Sequence, residues 1–270
     1  MTGTDGRLRI CDLSPGMYRV EIHSQYSTGE APVSFGITYV TVKDEDQRGL
    51  KFLTSSGATL DAEIVWDTPP PESAPPLTLR LNLRPTLRTG FPGAADWNGQ
   101  KTEVPGNVSF QNLFFDEYEV QTDLRKPGLY IKDVTYAGQS IWRQPFRYGS
   151  AMQGAGLRVV VARDGGTITA QVSDKDGNPI GDVHVVFFPA DTSSEGALAA
   201  TMVKGKTDQL GRCPSKTLAP GTYYVLASDE EFTASTDSIA KLWHSRTSLQ
   251  KVELAPGGSP QVKLQLTRLM

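Results

Sequence analysis

A short stretch that recurs three times along the chain constrains the fold more than any other feature. It is clearest at residues 218–225, LAPGTYYV, and it occurs again at residues 13–20, LSPGMYRV, and in altered form at residues 113–120, LFFDEYEV. Each copy has a Gly seven residues before the Leu, a Tyr five residues after it and a Val two residues after the Tyr. The three Leu residues are 100 and 105 positions apart, which predicts modules of about that length.

The recurring stretch predicts a strand, a tight corner and a second strand. Pro presets the first turn position, and Gly adopts the positive φ of the next one without steric cost. Side chains two apart on a strand share a face, so the Tyr and the Val are expected to join the Leu in one core. The second copy keeps these positions but loses Pro-Gly, which favours a structural role over a binding role. A Tyr at such a corner commonly donates a hydrogen bond to the backbone, and we expect this here.

A second recurring block indicates where each module ends. Residues 50–54, LKFLT, lead into residues 58–62, just as residues 157–161, LRVVV, lead into residues 166–170. Each block is interpreted as the last strand of one module, a turn and the first strand of the next. The predicted modules are residues 1–55, 56–162 and 163–270.

Short alternating strands separated by turns predict an all-β fold. The expected architecture is a tandem row of Greek-key β-sandwiches, prealbumin-like or immunoglobulin-like, with one short helix in the last module. Alternation is perfect at residues 77–84, LTLRLNLR, where four Leu share one face. The helix is predicted at residues 236–246, and residues 85–106 and 191–199 are predicted to be loops.

The first module is predicted to be incomplete. Residues 1–6 lack the basic and apolar regions of a signal peptide, yet the first corner follows a few residues later. Residues 7–10, RLRI, alternate like a strand, but the strands that should precede them are missing. We therefore expect a partial module, with any export signal further upstream. Half a sandwich cannot bury both faces, so it is expected to pack on the next module or to lack its natural complement.

The third module contains several motifs in a characteristic order. They are residues 167–172, TITAQV, the turn DKDGNP at residues 174–179, the residues Thr207, Asp208 and Gly211, and the LAPGTYYV corner. This order resembles that of the carboxypeptidase regulatory-like domains, which have a transthyretin-like, starch-binding-domain-like sandwich. The resemblance covers the third module well and the others by period and corner only. It implies a non-catalytic accessory module, extracytoplasmic and often repeated in long exported bacterial proteins.

Composition argues against several classes of function. The 270 residues have a formal net charge of −3 and show no basic cluster that would bind nucleic acid. No apolar run approaches the ~18 residues of a membrane helix, so no membrane insertion is expected in this segment. Cys11 and Cys213 take different positions in different modules. A disulfide is therefore not expected, and both residues are predicted to be buried or half-buried fillers.

The sequence shows no catalytic or metal-binding constellation, so we predict neither an enzyme nor a cofactor. The three His residues, His23, His184 and His244, do not have metal-ligand spacing. The S-x-x-K pattern at residues 238–241 lacks the motifs that accompany it in penicillin-binding enzymes. Residues 174–178, DKDGN, match part of a calcium loop but not its remainder, so a β-turn is favoured over a metal site.

Three aromatic residues are candidate ligand-binding positions: Trp97 on a long polar loop, and Trp142 and Tyr148. Exposed rings stack on sugars or on partner proteins, whereas packing over a sandwich end is the favoured competing interpretation. The leading hypothesis is a non-catalytic structural or interaction segment of a larger exported bacterial protein, with a protein or a cell-surface glycan as partner. The alternative is a carbohydrate-binding module, which rests on these rings and on fold analogy.

Overall fold

The computed structural model describes residues 6–24, 34–86, 99–113, 117–124, 126–148, 154–232 and 236–267. In these residues 19 strands form five sheets, accompanied by two α-helices and one 3-10 helix. The all-β sandwich class predicted from the sequence is confirmed. The strands of each sheet come from one continuous part of the chain, although the module boundaries at residues 55 and 162 stay a prediction.

The first sheet consists of three antiparallel strands in the order β1-β2-β3. They are β1 (Gly16–His23), β2 (Ser34–Val42) and β3 (Ser55–Ser56). Of the described residues before Ala58, only Phe35 is a buried large apolar side chain. It does not belong to the core clusters found later in the chain, so this sheet has no closed core of its own among the described residues.

The second module is a sandwich of two sheets with strand orders β10-β9-β12-β4-β7 and β11-β8-β5-β6. Its strands are β4 (Ala58–Trp66), β5 (Leu77–Pro85), β6 (Gly99–Val104), β7 (Gly106–Leu113), β8 (Glu117–Thr122), β9 (Tyr130–Tyr136), β10 (Gln139–Ser140), β11 (Phe146–Arg147) and β12 (Leu157–Ala162). The four alternating Leu of β5 are buried between the two sheets, as their spacing predicted. β6 lies in the range predicted as a loop, because pairing with β5 makes a strand of a polar sequence.

The third module is a smaller sandwich with strand orders β16-β13-β19 and β15-β14-β17-β18. Its strands are β13 (Thr169–Val172), β14 (His184–Pro189), β15 (Val203–Lys206), β16 (Arg212–Pro214), β17 (Gly221–Ser228), β18 (Gln250–Leu254) and β19 (Gln261–Leu264). β14 and β17 are apolar on both faces, because one face lies in the sandwich core and the other lies under helices.

Two helices cover the outer face of the four-stranded sheet, although the sequence predicted one. They are α1 (Glu195–Thr201) and α2 (Thr236–Ser245), and a 3-10 helix (Arg246–Ser248) follows α2. α2 was predicted, but the first five residues of α1 lie in the range 191–199 that was predicted as a loop. Ser194 caps α1 by accepting a hydrogen bond from the amide of Ala197 at 3.2 Å. Leu198 of α1 and Leu242 of α2 pack on Phe188 and complete this second layer.

The second and third modules share an arrangement of three strands beside the corner. The first strand of the module, β4 or β13, pairs in antiparallel fashion with the strand before the corner, β7 or β16. On its other edge it pairs in parallel with the last strand, β12 or β19. This three-stranded unit faces the strand that follows the corner, β8 or β17, across the core.

The first segment contains counterparts of only some of these strands. β1 and β2 pair with Gly16 opposite Val42, as β17 and β18 pair with Gly221 opposite Leu254. Residues 7–10 and 50–54, which correspond to β16 and to the last strand, are not strands. The sequence-based prediction of strands there is wrong, because a strand requires a hydrogen-bonded neighbour. In the described residues, no strand is paired with either of these two stretches.

Candidate interaction surface

The recurring corner is stabilised by its tyrosine in the first and third copies. The Tyr18 hydroxyl donates to the carbonyl oxygen of Ser14 at 2.8 Å, and the Tyr223 hydroxyl donates to that of Ala219 at 2.9 Å. Both acceptors lie four residues upstream, on the other side of the turn. The hydrogen bond predicted from the sequence is confirmed at these two corners, which supports a structural role for the motif.

Equivalent positions of the copies differ sharply in burial. Leu218 is 5% exposed, whereas Leu13 at the same position is 38% exposed. Cys213 is 1% exposed, and its counterpart Leu8 is 44% exposed. The expectation that the Leu of each corner points into a core is therefore wrong for the first copy. The reason is that the sheet which covers these positions in the third module has no counterpart among the described residues of the first.

Exposed apolar side chains are concentrated in the first segment. Of nine large apolar side chains that are exposed in the described chain, seven lie before residue 54. We call these seven the N-terminal apolar surface: Leu8, Ile10, Leu13, Met17, Tyr39, Leu50 and Leu53. Single exposed apolar residues are ordinary, but a group of this size on one small unit makes it a candidate for interaction with a partner. The sequence predicted the open half-module but not which side chains would form its surface.

The faces of the β1–β2 hairpin follow from its register. Tyr18, Val20 and Ile22 share one face with Val40, which lies opposite Tyr18. Tyr18 and Val20 are half-buried, whereas their counterparts in β17 are buried in a sandwich core. This face therefore has the side chains of a sandwich interior without the closed core that surrounds them in the third module.

The three aromatic residues proposed from the sequence do not form one ligand site in the described structure. Trp97 lies outside the described residues. Trp142 is half-buried against the core of the second module, with the guanidinium of Arg143 at 5.5 Å from its ring centroid. Tyr148 is 2% exposed, and its hydroxyl donates to the carbonyl oxygen of Thr59 at 2.8 Å. A ring buried to that extent offers no face to a sugar, and a ligand-binding role for Trp142 stays a prediction.

The linker between the second and third modules is hydrogen-bonded on both sides. The amide of Gly165 donates to the carbonyl oxygen of Gly128, in the second module, at 3.0 Å. The amide of Gly257, in the third module, donates to the carbonyl oxygen of Asp164 at 2.7 Å. The Tyr130 hydroxyl donates to the Asp164 carboxylate at 3.0 Å. Partial burial and this carboxylate raise the pKa of Tyr130 well above its ordinary value. Hydrogen bonds from both modules therefore hold the linker in place.

Arg143 also lies at this joint, although no motif in the sequence identifies it. Its φ of 65° is unusual for a residue other than Gly, and burial lowers the pKa of its guanidinium. Tyr223 and Asp191 of the third module lie close enough to raise this pKa by their electrostatic interaction with the guanidinium. The side chain therefore extends from the second module toward the corner of the third.

Buried polar side chains in the described residues have structural partners. They are Thr207, Ser215 and Ser228. The Thr207 hydroxyl accepts from the amide of Val183 and donates to the carbonyl oxygen of Ile180, each at 2.9 Å. Hydroxyls bonded in this way to the backbone have no base that would activate them as nucleophiles.

Potential metal ligands are likewise engaged or dispersed. Asp174 accepts hydrogen bonds from the amides of Asp176 and Asn178 and from the Asn178 side chain, which holds the pKa of its carboxyl below the usual range. These bonds close a β-turn, as the sequence favoured. Within the described residues, no group of three or more His, Cys, Asp or Glu side chains is placed to hold a metal ion.

A pocket of about 310 Å³ lies beside β17, β18 and β19 and does not assemble a reactive site. Ser248 and Thr267 line it, but their hydroxyls donate to the carbonyl oxygens of Ser245 and Gln265. Lys263 is the only ionisable side chain among its lining residues. Because both hydroxyls donate to backbone oxygens, neither hydrogen-bonds to Lys263 as a general base.

The two cysteines are free thiols in different environments. Cys213 is buried, as expected, and burial raises the pKa of its thiol to about 11. Cys11 is exposed, so the expectation that it fills a core is wrong. It precedes the corner of the first segment, where no closed core is present among the described residues.

None of the described helices has the length and apolar character needed to cross a bilayer.

Comparison with known proteins finds distant structural likeness only. No family model matches the chain, and no curated protein matches it significantly. Among solved structures, the chain is similar to the Bacillus anthracis TIE protein, with 14% identity over 98% of this chain and 44% of that chain, at a TM-score of 0.27. It is also similar to a streptococcal ancillary pilin, with 13% identity, 94% and 76% coverage and a TM-score of 0.30.

A third neighbour is GBS52, the minor pilin of Streptococcus agalactiae, with 13% identity, 76% and 94% coverage and a TM-score of 0.30. Pilins of Gram-positive bacteria thus recur among the neighbours, and this chain spans less than half the length of the TIE protein. Likeness at these scores carries no argument about function. The carboxypeptidase regulatory-like resemblance is not identified by these comparisons and stays a prediction.

Proposed function

We propose that this chain is a non-catalytic structural and interaction segment of a larger exported bacterial protein. The two sandwich modules act as a spacer, and the N-terminal apolar surface binds a protein partner. The extracytoplasmic location is part of the proposal and comes from the family that the third module resembles. A pilin-like role in surface assembly is compatible with it, but the likeness to pilins is too low to contribute support.

One observation carries the proposal: exposed apolar side chains concentrate in a unit that has no closed core in the described residues. Burying apolar surface stabilises an association by roughly 25 cal/mol per Å² before its costs are subtracted. The sandwich modules, by contrast, bury their large apolar side chains and expose few of them in the described residues. Within the described part of the chain, the first segment is therefore where cover by a partner would bury the most exposed apolar side chains.

The non-catalytic part of the proposal is supported by how the polar groups are used. The described buried hydroxyls bond to the backbone, and the Asp174 carboxylate closes a turn. The pocket beside β17, β18 and β19 brings together one ionisable side chain and two hydroxyls that are already bonded. A reaction would need at least one activated group, and none is assembled there.

The proposal is tested by affinity capture of exported proteins from the source organism on immobilised chain. Wild type is compared with Leu8→Asp, which places a charge on the N-terminal apolar surface, and with Leu210→Asp. Leu210 is a matched control, because it is an exposed apolar residue of the third module. We expect a protein that is retained by wild type and Leu210→Asp and lost with Leu8→Asp. Equal retention by all three, or no retention, would contradict the proposal.

The carbohydrate hypothesis is tested in parallel on a glycan array. The burial of Tyr148 and the packing of Trp142 favour no binding above background. Retention of a glycan that is abolished by Trp142→Ala and kept by Leu8→Asp would replace the protein partner with a sugar.

A further inference from the structure

We infer that the second and third modules resist tension along the chain, because the first and last strands of each module form a parallel, hydrogen-bonded pair. We call β4 with β12, and β13 with β19, the terminal-strand pairs. When the chain is pulled on both sides of a module, its terminal-strand pair is loaded in shear, and the hydrogen bonds of the pair are strained together. Resistance to tension goes beyond the role of a spacer and does not depend on a partner of the N-terminal apolar surface.

The relative direction of two strands determines how tension acts on them. In the second module, β4 and β12 are parallel, with Ala62 opposite Leu157 and Trp66 opposite Val161. The chain enters this pair at the amino end of β4 and leaves it at the carboxyl end of β12, and in a parallel pair these are opposite ends. Pulling therefore slides the strands along their axes, across the hydrogen bonds that join them. The bonds of the pair must then fail together.

The third module repeats this arrangement. β13 and β19 are parallel over four residue pairs. Further backbone bonds extend the ladder beyond both ends of β13. The amide of Thr167 donates to the carbonyl oxygen of Gly258 at 3.0 Å, and the amide of Ser173 donates to that of Leu264 at 3.1 Å. Tension along the chain therefore loads both modules in the same way.

Packing around the terminal-strand pair adds to the resistance of the second module. β4 and β12 both lie inside the five-stranded sheet, because β4 also pairs with β7 and β12 with β9. Ile64 and Val159 face each other across the pair and are fully buried. Glu63 and Arg158 lie opposite each other on the outer face, with Oε2 at 3.6 Å from Nε. A slide of one residue would turn apolar side chains outward, and a slide of two requires about 7 Å of movement.

The linker connects the two terminal-strand pairs in series. Residues 163–168 separate β12 from β13. Within them, Gly166 and Leu218 exchange two backbone hydrogen bonds, at 3.0 and 2.9 Å, and the amide of Gly165 donates to the carbonyl oxygen of Gly128 in the second module. Tension is therefore passed from one module to the next through a short, hydrogen-bonded connection.

The first segment has no such pair in its described residues and provides an internal comparison. β3 is held by only two residue pairs. Once these separate, tension acts on the β1–β2 hairpin at Gly16 and Val42, which lie opposite each other at the same end. The hairpin then opens from that end one residue pair at a time. We therefore expect the first segment to extend at a lower force than either sandwich.

The experiment is single-molecule force spectroscopy of the full chain, held by handles at its two ends under constant force. Wild type is compared with Asp67→Pro and Asp67→Ala. The amide of Asp67 donates to the carbonyl oxygen of Val161 at 2.8 Å, which joins the two strands just beyond the end of β4. Pro removes this donor and Ala keeps it, whereas both variants remove the ion pair with Lys132. Asp67 is exposed, so both variants are expected to keep the fold.

We expect wild type to lengthen at low force as the first segment opens, and then in two steps at higher force. Each of these two steps should add roughly 300 Å, because a stretched residue spans about 3.3–3.6 Å. Asp67→Pro should unfold one sandwich about fivefold faster than Asp67→Ala at the same force, because one bond of the terminal-strand pair is missing. The other sandwich should unfold at the same rate in both variants.

A second measurement changes the direction of the load and leaves the terminal-strand pairs intact. Handles are attached to thiols introduced by Lys175→Cys and Leu266→Cys in a chain with Cys11→Ser. Cys213 stays unlabelled because it is buried. Lys175 and Leu266 line one pocket just beyond the carboxyl ends of β13 and β19. Load applied there peels β19 from β13 one bond at a time. We expect the third module to open about a hundredfold faster than when the same force acts on the chain ends.

Equal unfolding rates for Asp67→Pro and Asp67→Ala, or equal rates for the two directions of load on the third module, would overturn the inference. Extension of both sandwiches at the low force that opens the first segment would also overturn it. The proposed binding of a partner is measured separately, by the loss of a retained protein with Leu8→Asp. Either claim can therefore fail while the other stands.

Discussion

At the scale of single residues, position in the recurring motif does not determine environment. Tyr18 and Tyr223 make the same hydrogen bond to the carbonyl four residues upstream, yet only Tyr223 is buried in a core. The bond is local and follows from the corner geometry, so the sequence predicts it. Burial depends on a second sheet, which the motif does not encode.

The corner hydrogen bond of the third module is expected to contribute more to stability than the corner hydrogen bond of the first segment. Tyr223→Phe removes the hydroxyl that donates to the carbonyl oxygen of Ala219. The carbonyl then loses its hydrogen bond, and the third module should be destabilised by about 1 kcal/mol. The measurement is the unfolding free energy from urea-dependent hydrogen exchange of the β17 amides. Tyr18→Phe is the matched control, since water can replace the lost bond at a half-exposed ring. Equal losses at both corners would show that burial does not matter here.

The two thiols should differ strongly in reactivity. The raised pKa of Cys213, about 11, keeps its thiol protonated at pH 8, and burial shields it from reagents. Cys11 is exposed. We expect labelling of Cys213 to be at least about a hundredfold slower than that of Cys11, followed by mass spectrometry of labelled peptides. Comparable rates would mean that the core of the third module opens readily.

At the scale of elements, the sequence predicts those whose causes are local. The alternating pattern of β5 and the apolar stripe of α2 are each visible in the sequence of the element itself, without reference to its neighbours. α1 has only seven residues, too few for a helical period to be recognised, and Leu198 is the fully buried anchor among its described side chains. β6 is polar and becomes a strand by pairing with β5. The hydroxyl of Tyr148 bonds to Thr59, 89 residues away, so its burial could not be inferred locally.

β5 provides a direct test of the second sandwich. Leu81→Asp buries a carboxylate among apolar side chains that are fully covered, and should destabilise the second module by about 4 kcal/mol or more. Asn82→Asp is the control, because its side chain points to the other face of the same strand. The comparison is made by chemical denaturation. A similar stability for Leu81→Asp and Asn82→Asp would contradict the assigned face.

At the scale of the whole molecule, the described sandwiches keep separate cores. The core clusters of the third module contain residues from Ile168 onward, and that of the second module ends at Val161. Leu81→Asp is therefore expected to leave the third module folded. The second and third modules are joined by the hydrogen-bonded linker. Arg143, which no sequence pattern identified, also lies at this joint. Among the described residues, exposed apolar side chains are concentrated in the first segment, which is the basis of the proposed function.

The most direct test of the central claim is residue-resolved hydrogen exchange of the full chain. We expect fast exchange at residues 7–10 and 50–53, because they form no ladder in the structure. The amides of β5 and β17 lie in closed sandwiches and should be strongly protected. Protection of residues 7–10 and 50–53 comparable to that of β5 and β17 would contradict the claim that the first segment lacks a closed core and exposes its apolar side chains.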